Sequence, residues 1–258
     1  MSARITILGS GTSSGVPLVG CSCPTCTSSD PRDSRTRTSV LVECDGVRIL
    51  IDTSSDFRQQ MLRHNIREVD AVIFTHHHFD HISGFDDLRA FNFHTRRPVL
   101  CYATDVTTHN LKRIFAYAFG EGTTPGTAAP MVTMRRIEPG VTFRVNDLEI
   151  LPVPLMHGPL EVMGFRIGSF AYCTDCNGVP AASMAMLEGL DVLVLDALRY
   201  TTHPTHFSLD ESVALATALG AGTTYFTHIA HEMKHADVET RLPANIRVAY
   251  DGLALELP

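Results

Sequence analysis

The run Thr75-His76-His77-His78-Phe79-Asp80-His81 places five side chains that bind metals or move protons within seven residues. It follows Asp70-Ala71-Val72-Ile73-Phe74, an apolar run that reads as a buried strand, and precedes Gly84 and a helical pattern. The cluster is therefore expected on the loop leaving the C-terminal end of a core strand, where α/β sheets place their ligand sites. Packing has no use for so many ligand-type groups at neighbouring positions, and the imidazoles would repel on protonation. His76 and His78, two apart in extended chain, can point to one side. His77 then faces away and is given no ligand role.

Other ligand-type residues fall at the ends of later expected strands. His157 follows the strand 148–153, Asp175 follows 170–173, and His228 follows 223–227. If those strands lie in sheets that face each other, their ends converge on one cleft. Five imidazoles and two carboxylates exceed what one tetrahedral zinc takes. They suit two metals with a carboxylate between them. Asp52, ending the strand 47–52, is placed to orient a metal-ligating histidine.

The rest of the chain reads as strands alternating with helices. Ile5–Leu8 is a strand ending at Gly9-Ser10-Gly11-Thr12, where glycine suggests a tight turn with accessible backbone N–H groups. Asp45-Gly46 joins two apolar runs as a hairpin turn. Ser55 is placed to cap a helix through His64, with Phe57, Met61 and Leu62 on one face. Helical patterns cover 85–93, 108–119 and 181–188, and strands are expected at 98–102, 142–145, 162–167 and 192–196. Ser208-Leu209-Asp210-Glu211 is a capping box opening a helix to Leu219. Residues 120–130 are read as a mobile surface loop. With no composition break or linker, residues 1–258 read as one domain of two similar sheet-plus-helix halves.

A second cluster is Cys21-x-Cys23-x-x-Cys26. It lies in a Ser/Thr/Pro/Gly/Cys-rich loop at about 12–38, too long to sit in a compact domain without an anchor. A tetrahedral zinc would supply that anchor, with His231 as the fourth ligand. Cys173 and Cys176, which flank Asp175, read as buried thiols.

Composition excludes several classes. The chain is 44% hydrophobic and 19% charged, with a formal net charge of −7. General disorder does not fit that balance, and acidity disfavours nucleic-acid binding, which needs clustered Lys and Arg. Arg32, Arg35 and Arg37 read as a solvated loop rather than a basic patch. No apolar run approaches ~18 residues, so neither a membrane span nor a signal peptide is expected. A cytoplasmic location follows, where thiols stay reduced.

The pattern His76-x-His78-x-Asp80-His81, continued through His157, Asp175 and His228, resembles the metallo-β-lactamase superfamily. The resemblance implies an α+β fold built as a four-layer αββα sandwich. It implies one metal on His76, His78 and His157, and a second on Asp80, His81 and His228, with Asp175 bridging. Aspartate at 175, where common lactamases carry cysteine, resembles the dinuclear hydrolase branches. The Cys-rich insert, His228-x-x-His231 and the opening Gly9-Ser10-Gly11-Thr12 are similar to the phosphodiesterases of phosphonate degradation. In that group a histidine matching His206, just before a helix N-terminus, recognises phosphate and protonates the leaving group; His203 fits the position less well and takes no assigned role.

The function expected on this reading is hydrolysis of small, cyclic phosphodiesters such as ribose cyclic phosphates or 2′,3′-cyclic nucleotides. Its cofactors would be two divalent ions (Zn or Mn) and one structural Zn. Asp80 and His206 are the expected catalytic residues, a metal-bridging hydroxide the nucleophile, and a homodimer the form relatives suggest. Alternatives are a tRNA 3′-processing endonuclease, a thioesterase or lactonase on the same fold, and a non-enzymatic zinc scaffold.

Overall fold

The structure is a computed structural model that describes residues 3–120 and 129–257. The expected surface loop at 120–130 therefore falls largely outside the described residues. The first run of elements is β1 (Ala3–Gly9), β2 (Ser39–Cys44), β3 (Val47–Ile51), α1 (Phe57–Arg63), β4 (Ala71–Ile73), α2 (Phe79–Ile82), α3 (Arg89–Thr95), β5 (Val99–Ala103), α4 (Asp105–Ile114) and β6 (Val132–Arg136). The second run is β7 (Phe143–Val145), β8 (Leu148–His157), β9 (Leu160–Ile167), β10 (Phe170–Cys173), α5 (Ala181–Met186), β11 (Val192–Asp196), α6 (Leu209–Leu219), β12 (Thr223–Thr227), α7 (His235–Glu239), β13 (Ile246–Val248) and β14 (Ala254–Leu257).

The strands form two mixed seven-stranded sheets, ordered β14-β1-β2-β3-β4-β5-β6 and β13-β12-β11-β10-β9-β8-β7. Three apolar layers hold them. Ile5, Val42, Ile49 and Ile73 of the first sheet pack between the sheets against Ile150, Phe165, Tyr172 and Val194 of the second. Leu50, Val72, Phe57 and Leu111 fill the space between the first sheet and its helices. Leu193, Leu195, Leu209 and Val238 do so for the second. This is the expected α+β, four-layer αββα arrangement. The parallel strands β3-β4-β5-β6 and β10-β11-β12-β13 run with their C-terminal ends toward one rim. No helix among the described residues is long and apolar enough to cross a membrane.

Several local expectations need correction. The first helix starts at Phe57, and Asp56 rather than Ser55 precedes it; the Ser54 hydroxyl accepts from the Asp56 amide at 3.2 Å. Phe57 and Met61 are buried as expected, but Leu62 is 64% exposed. The helix expected over 85–93 is a 3-10 turn, Ser83–Leu88, running into α3. Strand β8 does not stop at Val153 but continues to His157. It pairs with β7 only through Leu148–Ile150, so Pro152 and Pro154 lie where β8 is an edge and their missing N–H groups cost nothing. Strands β6, β13 and β14 and helix α7 went unread in the sequence. The Ser208 capping box is present, with the Ser208 amide and hydroxyl both donating to Glu211 Oε2 at 2.8 and 2.6 Å.

The turn after β1 also differs from expectation. Its amides are not accessible: Ser10 N–H donates to Asp251, Gly11 N–H to the Thr36 carbonyl and Thr12 N–H to the Ile229 carbonyl. Glycine is required at 9 by close approach instead, since a Cβ there would sit 2.0 Å from the Arg37 carbonyl oxygen. Arg35 is not solvated either. It is 2% exposed and donates to Ser10 Oγ and the Ala249 carbonyl, while Arg32 and Arg37 pair with Asp30 and Asp56.

Candidate metal centre

Each ligand-type residue sits where a strand gives way to a loop. Strand β4 ends at Ile73; His76 and His78 follow in extended chain, and α2 carries Asp80 and His81. His157 is the last residue of β8, Asp175 follows β10, and His228 follows β12. Asp52, Asp175 and His228 all adopt left-handed backbone, with φ of 61°, 54° and 61°. Such conformations cost on the order of 1–3 kcal/mol each and gather at functional sites. They turn the chain sharply at the strand end, so the side chain points into the rim.

Two groups result. His76, His78, His157 and Asp175 have ligand atoms within 4.8 Å of one another, as do Asp80, His81, Asp175 and His228. Asp175 belongs to both. Its Oδ2 lies 3.8 Å from His76 Nε2, and its Oδ1 lies 3.2 Å from His81 Nε2 and 3.3 Å from His228 Nε2. His77 joins neither group.

The other nitrogen of most rings is tied, which fixes the tautomer. His81 Nδ1 donates to Asp52 Oδ2 at 2.7 Å. Thr75 donates its amide to Asp52 Oδ1 and its hydroxyl to Asp52 Oδ2, both at 2.8 Å, and its oxygen lies 2.9 Å from His76 Nδ1. His157 Nδ1 donates to the Thr205 carbonyl at 2.7 Å. With Nδ1 carrying the proton, Nε2 is left as a lone pair aimed at the cluster.

The Nε2 atoms of His76, His81 and His228 are buried and have no hydrogen-bond partner. A bare lone pair facing a carboxylate is repulsive, and only a proton or a cation between them resolves it. The electrostatics say the same. Burial opposes charge on Asp175 and Asp80, but the facing His228 and His81 rings outweigh it and hold both carboxyls well below the usual range. Burial likewise pushes His81 and His228 down, yet the surrounding carboxylates hold His81 well above the ordinary imidazole value and His228 up at about 9. The residues fit divalent cations, which would take the place of those protons.

His206 stands beside both groups. It is 8% exposed, its ring stacks on His228 at 4.7 Å and 12°, and it meets His157 edge-on at 4.6 Å. Its Nδ1 lies 2.9 Å from Asp196 Oδ2, and Asp196 Oδ1 lies 3.8 Å from His228 Nδ1. Asp196 escaped the sequence reading, although the signal was there: it ends the apolar strand β11, between the strands that end at Asp175 and His228. At the N-terminus of α6 beside His206, Glu211 accepts from the Ser208 amide and hydroxyl, and the Leu209 amide donates to the Arg199 carbonyl.

The cysteine cluster also assembles. Cys21, Cys23, Cys26 and His231 form a third group with ligand atoms within 4.8 Å of one another. Cys21 and Cys23 Sγ lie 3.5 and 3.4 Å from His231 Nδ1, and the Leu18 and Cys26 amides donate to Cys26 and Cys23 sulfurs at 3.3 and 3.4 Å. The His231 contact draws the Cys23 thiol down to about 6, while burial pushes Cys26 up to about 11. Three sulfurs and one imidazole nitrogen suit tetrahedral zinc. Cys173 and Cys176 are buried, as read.

Comparison with known proteins agrees with this geometry. Residues 47–229 match the β-lactamase superfamily domain. A solved structure of a diphosphatase from the PhnP family shares 47% identity, with a TM-score of 0.93, over 100% of this chain and 98% of that one. The octanoyltransferase of Porphyromonas gingivalis is 39% identical over 97% of this chain, which spans 51% of that protein's length. Zn2+-bound PqqB from Methylobacterium extorquens shares the fold at 24% identity and a TM-score of 0.78, over 98% of this chain and 100% of that one. The chain belongs to the metallo-β-lactamase superfamily, as a hydrolase of its PhnP family.

Proposed function

We propose that this hydrolase is a phosphodiesterase for small phosphodiesters, cyclic ones such as ribose cyclic phosphates and 2′,3′-cyclic nucleotides included. The observation that carries this reading is His206. It is a buried imidazole packed on ligands of both groups and tied through Nδ1 to buried Asp196, and the one metal-type group it joins, with Asp196 and His228, uses a histidine already assigned to the second ion. It is placed to serve a leaving group. The PhnP-family relative, a diphosphatase, supports phosphoryl chemistry.

His76, His78 and His157 would hold one divalent ion, Zn or Mn, and Asp80, His81 and His228 the other, with Asp175 between them. Such ions supply Lewis acidity toward phosphoryl oxygens and an activated water. Asp52 and the Thr205 carbonyl keep His81 and His157 in the tautomer that offers Nε2. Asp80, whose Oδ2 lies 3.4 Å from His81 Nε2 and 3.7 Å from His228 Nε2, would be both a ligand of the second ion and a catalytic carboxylate. Asp196 orients His206, whose Nε2 delivers a proton to the departing alkoxide as the ester P–O bond breaks. Cys21, Cys23, Cys26 and His231 would hold a structural zinc that pins the loop beside His228.

His206→Ala tests the reading. Turnover of a 2′,3′-cyclic nucleotide, whose departing alkoxide needs a proton, should collapse while metal content stays at the wild-type level. Undiminished turnover in that variant removes the role given to His206.

A further inference from the structure

The loop between β11 and α6 is clamped from within and from neighbouring segments. Arg199 Nε and Nη2 donate to the carbonyls of Thr201 and Thr202 at 3.2 and 2.8 Å. Asn177 Nδ2 donates to the Pro204 carbonyl at 2.8 Å, and His157 Nδ1 to the Thr205 carbonyl at 2.7 Å. Glycine at 158 lets the loop come this close: a Cβ there would lie 2.8 Å from Thr205 Cγ2. Arg199, which could have met a substrate phosphate, is spent on the backbone. The loop instead presents two imidazoles, His203 and His206, with centroids 5.1 Å apart.

The tautomer of His203 follows from its partner. The Thr205 amide donates to His203 Nδ1 at 3.3 Å, and the Thr205 hydroxyl lies 3.2 Å from the same atom. A backbone amide can only donate, so Nδ1 accepts and the ring proton sits on Nε2. Nε2 has no partner among the described residues and is not one of the buried unpaired atoms. It is a fixed donor open to solvent. The His206 ring lies 4.7 Å from His228, and the His203 ring, in no ligand group, lies 5.1 Å from His206.

We infer that His203 is a specificity-determining residue that binds a second phosphoryl group, on the leaving side of the scissile one, so that the chain prefers diesters of diphosphate over diesters of a single phosphate. The inference rests on the phosphodiesterase reading. His206 faces the oxygen that departs; His203, one ring further out, faces what that oxygen is attached to. In a diphosphate diester that is a second phosphoryl group, whose oxygens accept from Nε2–H. The anhydride P–O bond breaks, the water oxygen bonds to the attacked phosphorus, and its proton balance is closed at the departing bridging oxygen, which His206 protonates. A fixed donor loses little conformational entropy on binding and discriminates against substrates that leave it unpaired.

The test uses metal-loaded wild type and His203→Ala, with bis-p-nitrophenyl phosphate and ADP-ribose as substrates. Losing one hydrogen bond to an anionic oxygen should lower kcat/KM for ADP-ribose about tenfold more than for the single-phosphate diester, mainly through KM. A ratio of the two kcat/KM values within twofold of wild type overturns the inference, including the case where both fall together because the loop has loosened. Wild type that cleaves bis-p-nitrophenyl phosphate but not ADP-ribose also overturns it and leaves the phosphodiesterase reading standing. Wild type inert on both overturns that reading as well.

Discussion

His206 Nδ1 lies 2.9 Å from Oδ2 of Asp196, a carboxylate with no exposed surface that also accepts the Cys176 amide at 3.0 Å. The pair ties the ring serving the leaving group to the strand β11 between two ligand-bearing strands. The Cys176 amide and His206 Nδ1 share Oδ2, so Asp196→Asn either keeps a neutral oxygen there or turns an NH2 toward both and accepts from neither. Turnover should fall about 10²–10⁴-fold, the usual worth of a positioned acid. The loss should be steepest for substrates with poor leaving groups. Equal losses for p-nitrophenol and alkyl leaving groups would show that Asp196 acts on folding or metal instead.

Asp52 receives three donors and holds two of the ligand-bearing segments in place. Burial pushes its carboxyl up, and His81 opposes that shift. Asp52→Ala leaves His81 Nδ1 and the Thr75 amide unpaired in the core. Metal affinity should drop 10–100-fold, as loss of such an orienting partner typically does. Competition with a chromogenic chelator measures it; an unaltered Kd would mean the ring is oriented by packing alone.

The cysteine site predicts a separable metal. Cys23→Ser should remove one ion per chain and leave the other two in place. The loop at 12–38 should then be cut by trypsin faster than in wild type. Where free zinc stands at a thousand times its Kd, the lost stabilisation is about 4 kcal/mol. Metal analysis showing no change in stoichiometry would end the structural-zinc assignment.

His235 gives the protein a stability that depends on pH. Its Nδ1 faces Arg35 Nη2 at 3.2 Å, its amide donates to Asp33, Glu239 lies 4.0 Å from Nε2, and Tyr250 packs edge-on. Burial, then the charges of Arg35 and Arg32, lower it to about 4, against an ordinary 6.5. The folded state therefore keeps the ring neutral where the unfolded state protonates it. Stability is full above pH 6.5 and is lost as pH falls from 6.5 toward 4, on the order of 1–3 kcal/mol. The drop in Tm between pH 7.5 and 5 should be smaller in His235→Gln than in wild type. An equal drop would assign the acid sensitivity elsewhere.

The parts of this molecule that announce themselves in sequence are those where local chemistry and position coincide. Apolar runs ending in His or Asp gave the strands and their ligands together, and Asp45-Gly46 and Ser208-x-x-Glu211 carry their turn and cap in their own side chains. What stayed hidden depends on partners distant in sequence. Strand β14 is defined by pairing with β1, and Gly9 by the Arg37 carbonyl. Arg35 is buried by Ala249 and His235, which local composition cannot reveal. Asp196 looked like the polar end of an ordinary strand until β10 and β12 were set on either side of it.

Ala3 of β1 stands opposite Leu257 of β14. Both described ends of the chain therefore leave the fold at one corner. From there β1 runs seven residues, about 20 Å at strand rise, before reaching Ser10 and Gly11 beside the histidine loops. A polypeptide fused at either described end would be tethered at the far end of β1 from the histidine loops. A short linker could join 257 to 3, making the fold a candidate for circular permutation.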